Sequence, residues 1–209
     1  GTQHVASQRR ADELGLVGPA DVIGYHECLG WEPEAHSQAV EWLKTTPKTP
    51  FFLSVGFHET HREFPELEDG DPEDPRYTLP PAPLPDTPET RLDTARFAKM
   101  ARDLDSRMGA VLAALKEEGL ADDTIVVCTT DHGIAFPRMK CNLQDSGTGT
   151  FLIIRGPGGF EGGKAVDAMT THMDVYPTLC ALVGIDPPER LRGTSLLPLV
   201  RGEADSIHG

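Results

Sequence analysis

The residues of this chain that could do chemistry gather where apolar runs stop. Thr124-Ile125-Val126-Val127-Cys128 gives way to Asp131-His132-Gly133, and Arg138 and Lys140 follow a few positions later. A second run, Phe51 to Phe57 in "FFLSVGFHETH", ends at His58 and His61. Asp beside His suits a divalent cation: zinc and manganese take mixed nitrogen and oxygen sets readily, whereas calcium prefers oxygen. Both side chains can address one ion only where the backbone leaves extended geometry, which Gly133 permits. Two ligands do not complete a site, and only Asp145 is a nearby candidate for a third. A metal, histidines and a lysine around one cavity would stabilise a tetrahedral oxyanion such as phosphate or sulfate. Taken one at a time, the same residues are ordinary: an Asp capping a turn, surface histidines, solvated cations.

What could bring them together is the arrangement of the elements that precede them. The run 51–57 has strand length and no polar alternation, as a strand buried on both faces would. Residues 34–46, "EAHSQAVEWLKTT", carry Ala39, Val40, Trp42 and Leu43 at helical spacing. Residues 65–90 are dense in Pro, Asp and Glu, so they cannot continue a helix or a central strand, and they form a surface excursion that either rims a site or moves. Residues 91–118 read as a helix, with Gly119 as its stop. Strands are expected at 124–128 and 150–158, and a short helix over 171–184 with Asp174 near its start, His172 just before it and Gly184 at its stop. Strand, excursion, helix and strand compose a βαβ unit with a parallel crossover. In such sheets, sites form beyond the carboxyl ends of the strands, where His58, His61, Asp131 and His132 would meet.

Composition narrows the function classes. The 209 residues are 38% hydrophobic and 25% charged, with a formal net charge of -14, which fits a soluble globular protein. So acidic a balance argues against nonspecific nucleic-acid or anionic-membrane binding, though not against an anionic substrate in a local cationic cleft. No apolar run is long enough to span a bilayer. Cys28, Cys128, Cys141 and Cys180 show no zinc spacing and read as free thiols, two of them in apolar runs. The first residue is Gly and neither end carries a capping element, so both ends are expected to be cuts through a longer protein.

Several stretches together resemble the sulfatase family of the alkaline phosphatase superfamily. "PFFLSVGFHETH" is similar to the family strand that ends in His-x-x-His, and "LADDTIVVCTTDHG" to the strand that ends in Asp-His-Gly or Asp-Asn-Gly. "FPRMKCNLQDSGTGTFLIIRGPG" resembles the following segment with its active-site lysine or arginine, and "THMDVYPTLCALVGIDPPERLRGTSLLPLVRGE" the next block. The Asp-His-Gly-Ile-x-Phe-Pro wording leans towards the sulfamidase-like (N-sulfoglucosamine sulfohydrolase) branch.

The resemblance implies an alkaline-phosphatase-like α/β/α sandwich with a mostly parallel central sheet, incomplete at both ends. It implies hydrolysis of sulfuric esters or sulfamates on sulfated small molecules or glycans, through a formylglycine nucleophile and Ca²⁺. Asp131 and His132 match calcium ligands; His61 and Lys140 match residues that contact the sulfate and the leaving oxygen. His58 and Arg138 are candidate substrate contacts. "GTQH" resembles a Gly-Lys-x-His segment, which would make His4 the histidine that helps expel sulfate, with Thr2 where lysine is usual. The nucleophile motif, Cys/Ser-x-Pro-x-Arg, does not occur in these residues, nor does the first Asp pair of the calcium site. The 209 residues alone are therefore expected to be inactive. A phosphate or phosphonate hydrolase of the same superfamily, with Mn²⁺ or Zn²⁺, and a non-catalytic binding remnant are the alternatives. Family members tend to be secreted, periplasmic or lysosomal.

Overall fold

The computed structural model describes residues 12, 14, 25–27, 35–45, 50–160 and 162–208. They divide into two units, one built from residues up to 120 together with 130–150, the other from 121–129 and 151 onwards. His4, Thr2 and Cys28 lie outside the described residues.

In the first unit the helix expected over 34–46 forms as α1, Ala35–Lys44, with Ala39 and Leu43 buried. It packs on α2, Pro88–Glu117, the longest element. α2 starts three residues earlier than its apolar spacing indicates. Thr87 and Thr90 form a reciprocal capping box, and Pro88 occupies the first turn, where a missing N–H costs nothing. Ala95, Val111, Ala114 and Leu115 form the buried stripe. Gly119 takes the left-handed φ of 71° that ends the helix region, as its position after Glu118 suggested.

The run 51–57 forms no strand and has no ladder partner among the described residues. Nor is it buried on both faces: Phe51, Leu53 and Val55 are half-buried while Phe52 and Ser54 are exposed. That alternation belongs to a segment with one covered face, Phe51 packing edge-on against Trp42 at 5.3 Å between ring centroids.

Ion pairs to α2 hold the acidic excursion. Asp86 pairs with Arg91, Glu66 with Arg96, and Asp71 with both Lys99 (2.7 Å) and Arg102 (3.0 Å); Arg102 also reaches Glu73 at 3.1 Å. Lys99 and Asp71 are largely buried together. Glu68 N–H, Lys99 and Arg102 all bond the Asp71 carboxylate and hold its pKa well below the usual range.

In the second unit β1, Val126–Thr129, pairs with β2, Leu152–Arg155, in register Val126↔Arg155 to Thr129↔Leu152. The parallel crossover expected between 51–57 and 124–128 is not formed among the described residues, where 51–57 pairs with no strand; β1 and β2 instead pair antiparallel. The reason is the connection: a parallel partner needs a long crossover back along the sheet, and residues 130–151 hold only α3, Asp145–Thr148. The expected helix over 171–184 is a 3₁₀ turn, His172–Asp174, followed by α4, Val175–Val183, with Gly184 in the left-handed cap. α5, Leu197–Arg201, completes the unit. No helix among the described residues is long and apolar enough to cross a membrane.

Asp174 proves to be a buried hub and more than a helix-start residue. It accepts the N–H groups of Thr171 and Thr194, each at 2.8 Å, and its backbone carbonyl accepts Thr178 Oγ1 at 2.6 Å. Thr178 Oγ1 in turn accepts Leu196 N–H. His172 is structural, as its context indicated: its Nε2 donates to Thr129 Oγ1, which itself donates to the Phe151 carbonyl. Cys128, Cys141 and Cys180 are free thiols; Cys180 is buried, Cys128 half-buried and Cys141 exposed.

Candidate functional site

The Asp-His-Gly loop is shaped by two close backbone approaches. Gly133 donates its N–H to the Gly147 carbonyl at 2.9 Å, and a Cβ at Gly133 would overlap the Ser146 carbonyl oxygen and lie 2.9 Å from Gly147 Cα. Gly147 is equally enclosed, by the carbonyls of Asn142 and Met139. Between these points Phe136 and Met139 are buried and anchor the loop, while Ser146 Oγ donates to the Arg138 carbonyl at 3.1 Å. Gly133 therefore serves close packing, within a bend over 131–133 where the backbone leaves extended geometry.

At the head of this loop, Asp131 Oδ2 and His132 Nε2 lie 3.3 Å apart. His132 Nδ1 donates to the Gly133 carbonyl at 2.8 Å. A carbonyl can only accept, so the hydrogen of the neutral ring sits on Nδ1 and the Nε2 lone pair faces the carboxylate. Two lone-pair donors this close need positive charge between them, supplied by a second ring proton or by a cation. With metal–ligand distances of about 2.0–2.6 Å, both atoms can reach one ion. Asp131 is exposed and His132 partly so, which leaves room for further ligands. Among the described residues no group of three or more His, Cys, Asp or Glu side chains is poised around one ion. The donor set thus fits a divalent cation as one edge of its shell, and Asp145, exposed at the start of α3, does not complete it.

His58 and His61 form a second local pair. The His61 N–H closes a turn on the His58 carbonyl at 2.8 Å, and the rings stack at 4.9 Å between centroids. Both side chains are exposed. His61 Nδ1 donates to the Arg62 carbonyl at 2.6 Å, so Nε2 is left to face outward as an acceptor in the neutral ring. Lys140 is half-buried, its N–H bonded to the Ile134 carbonyl at 3.1 Å; Arg138 is exposed, in the left-handed region at φ 67°.

The tie between the histidine turn and the Asp-His-Gly loop is a residue not foreseen from the sequence. Arg62 Nε donates to the Ala135 carbonyl at 2.6 Å, and its two terminal nitrogens grip Asp93 of α2. The guanidinium stacks over Phe64 (4.3 Å) and Phe136 (4.9 Å), which with Phe97 form an aromatic trio. The signals in the sequence were an arginine directly after His61 and a lone Phe136 inside a polar loop. Neither indicates a partner 31 or 73 residues away.

Comparison with known proteins agrees with this construction. The chain is 31% identical over 195 residues to N-sulphoglucosamine sulphohydrolase of Homo sapiens, covering 78% of this chain and 39% of that protein. It is 33% identical over 124 residues to an ulvan-active sulfatase of Formosa agariphila, covering 59% of this chain and 21% of that one. Among solved structures, Ps i-CgsB in complex with k-i-k-neocarrahexaose superposes with a TM-score of 0.64 at 22% identity, over 94% of this chain and 46% of that one. The chain thus spans less than half the length of each of these proteins, and it has part of their alkaline-phosphatase-like α/β fold. Residues 34–185, more than half of the chain and inclusive of α1, the histidine turn and the Asp-His-Gly loop, match the sulfatase family model, and the chain belongs to the sulfatase family.

Proposed function

We propose that the protein to which these residues belong hydrolyses sulfuric esters or sulfamates on sulfated glycans, with a divalent cation held in part by Asp131 and His132. The observation that carries the reading is the pair of lone-pair donors, Asp131 Oδ2 and His132 Nε2, 3.3 Å apart in a loop that Arg62 ties to the His61 turn. Sulfatase relatives support the reaction class, and the sulphohydrolase relative favours including the S–N bond of a sulfamate among the substrates.

Hydrolysis of a sulfate ester breaks the S–O bond, places the oxygen of water on sulfur and returns a proton to the leaving oxygen. His61 is assigned to the leaving group: its Nε2, free of the bond made by Nδ1, must take up a proton before it can deliver one. Lys140 is assigned to the sulfate, as a cation on the same loop as Asp131. His58 and Arg138 are assigned to substrate contact. Calcium is our choice of ion, and when bound it supplies neutralisation of charge on the sulfate oxygens. The nucleophile assigned is formylglycine; its Cys/Ser-x-Pro-x-Arg motif is not among these 209 residues. His4, outside the described residues, is assigned by resemblance alone to the release of sulfate.

The test is an assay of the protein in its natural coding context, co-expressed with a formylglycine-generating enzyme. Substrates are an aryl sulfate, an N-sulfated glucosamine and an aryl phosphate. Sulfate release that falls about 100-fold or more in His61→Ala and Asp131→Asn supports the proposal. Cleavage of the phosphate ester without sulfate release, or full activity in both variants, overturns it.

A further inference from the structure

We propose that Arg62 is a positioning residue that fixes His61 and the Asp131–His132 loop relative to one another, with Asp93 as its anchor. The inference rests on the sulfatase reading for its catalytic consequence, but its structural content stands on geometry.

One residue here acts at two levels. Through its backbone carbonyl, Arg62 accepts the Nδ1 hydrogen of His61 at 2.6 Å and so selects the tautomer that leaves Nε2 available. Through its side chain it donates Nε–H to the Ala135 carbonyl at 2.6 Å, three residues beyond His132. The two terminal nitrogens are occupied by Asp93, whose place on α2 is set by a 30-residue helix. Phe64 and Phe136, neighbouring rings 5.5 Å apart, lie against the guanidinium at 4.3 and 4.9 Å. A planar fork held along its edges and against two rings has little rotational freedom, and the Ala135 carbonyl, hence the loop, inherits that restraint.

Magnitude points the same way. Arg62 and Asp93 are each about one third exposed, at 38% and 33%. A pair so accessible adds about 0–1 kcal/mol to stability. Its main consequence is therefore expected in the placement of the groups it joins, where misalignment by about 1 Å can cost on the order of 100-fold in rate. Lysine in place of Arg62 could satisfy Asp93 but not Ala135 at the same time, since it presents one compact charge and no fork.

The experiment has two arms. In the 209-residue chain, ¹⁵N imidazole resonances of His61 and His132 are recorded for the parent, Arg62→Met, Arg62→Lys, Asp93→Asn and, as control, Arg76→Met. Expected is a displaced His132 resonance in all three Arg62 and Asp93 variants, with non-additive effects when Arg62→Met and Asp93→Asn are combined, and no change in the control. In the natural coding context the same variants are assayed for sulfate release. Expected there is a 10- to 100-fold fall in kcat with KM nearly unchanged, on the order of the loss that misplacement brings, and incomplete rescue by lysine. If Arg62→Met unfolds the chain, Asp93→Asn carries the test. Unchanged His61 and His132 resonances in a folded variant overturn the proposal. Displaced resonances in a protein that releases no sulfate retain the positioning role and overturn the sulfatase reading instead.

Discussion

His208 Nε2 donates to Asp174 Oδ2 at 2.8 Å, joining residues 34 positions apart around a carboxylate with no solvent exposure. Together with the Thr171 and Thr194 N–H groups, the imidazole gives Asp174 three donors. A buried carboxylate so served is held in place, and its loss leaves backbone donors without partners.

Asp174→Ala is therefore expected to destabilise the second unit by about 3 kcal/mol, since two orphaned backbone N–H groups cost about 1–3 kcal/mol each. Asp174→Asn is milder, because one amide oxygen still accepts. Urea unfolding followed through Tyr176 on α4 measures both; a loss below about 1 kcal/mol in the alanine variant contradicts the assignment of Asp174 as a hub.

Acid should weaken the fold in two places. Burial pushes the Asp174 carboxyl up, but His208 and the Thr194 and Thr171 N–H groups outweigh it and leave the group below its ordinary value. Asp71 is also lowered, by Glu68 N–H, Lys99 and Arg102. A carboxyl whose folded pKa lies below the unfolded one stabilises fully above the unfolded value, about 3.9, and loses that contribution as pH falls through the folded value. The urea midpoint is expected to hold between pH 7 and 5 and to drop below about pH 4, where unfolded-state carboxyls take up protons. Asp71→Asn should shallow the drop. A midpoint independent of pH down to 3 in the parent contradicts both assignments.

Gly133→Ala tests the loop that carries the cation ligands. The added methyl has backbone on its far side, so the loop must move and no side chain can yield in its place. A cost of about 1–3 kcal/mol is expected, as for overpacking, with weakened divalent-cation binding. Gly70→Ala is an informative control for the clash, since a Cβ there meets nothing within 4 Å and only its φ of 99° opposes the change. Equal cation binding by parent and Gly133→Ala would contradict the fit of Asp131 and His132 to a metal.

Cation binding itself can be read without turnover. Two protein ligands hold calcium weakly, so a Kd of about 1 mM or weaker is expected for the 209 residues, at the weak end of known sites. Titration with Ca²⁺ should shift the His132 ring resonance, chelator should reverse the shift, and Asp131→Asn should abolish it. A shift that survives Asp131→Asn removes Asp131 from the site.

Local pattern was legible where the physics is local. Helical spacing located α1 and α2, Gly119 and Gly184 marked helix ends through their left-handed backbone, and the apolar run before Asp131 located β1. The chemical types at Asp131, His132, His58 and His61 were likewise visible, because ligand chemistry is a property of the side chain. Their pairing in space follows from adjacency along the chain, which also lies in the sequence.

Tertiary structure decided what depends on distant partners. The antiparallel order of β1 and β2 turns on how 130–151 folds back, and the one-sided burial of 51–57 on Trp42 standing against Phe51. The acidic excursion is fixed by cations along α2 that no periodicity connects to it. Arg62 is the sharpest case: a charged residue beside His61 reads as a solvated surface group. Only the fold supplies Asp93, Ala135 and Phe136 around it, because a guanidinium has five donors and partners 31 and 73 residues away decide which of them are used.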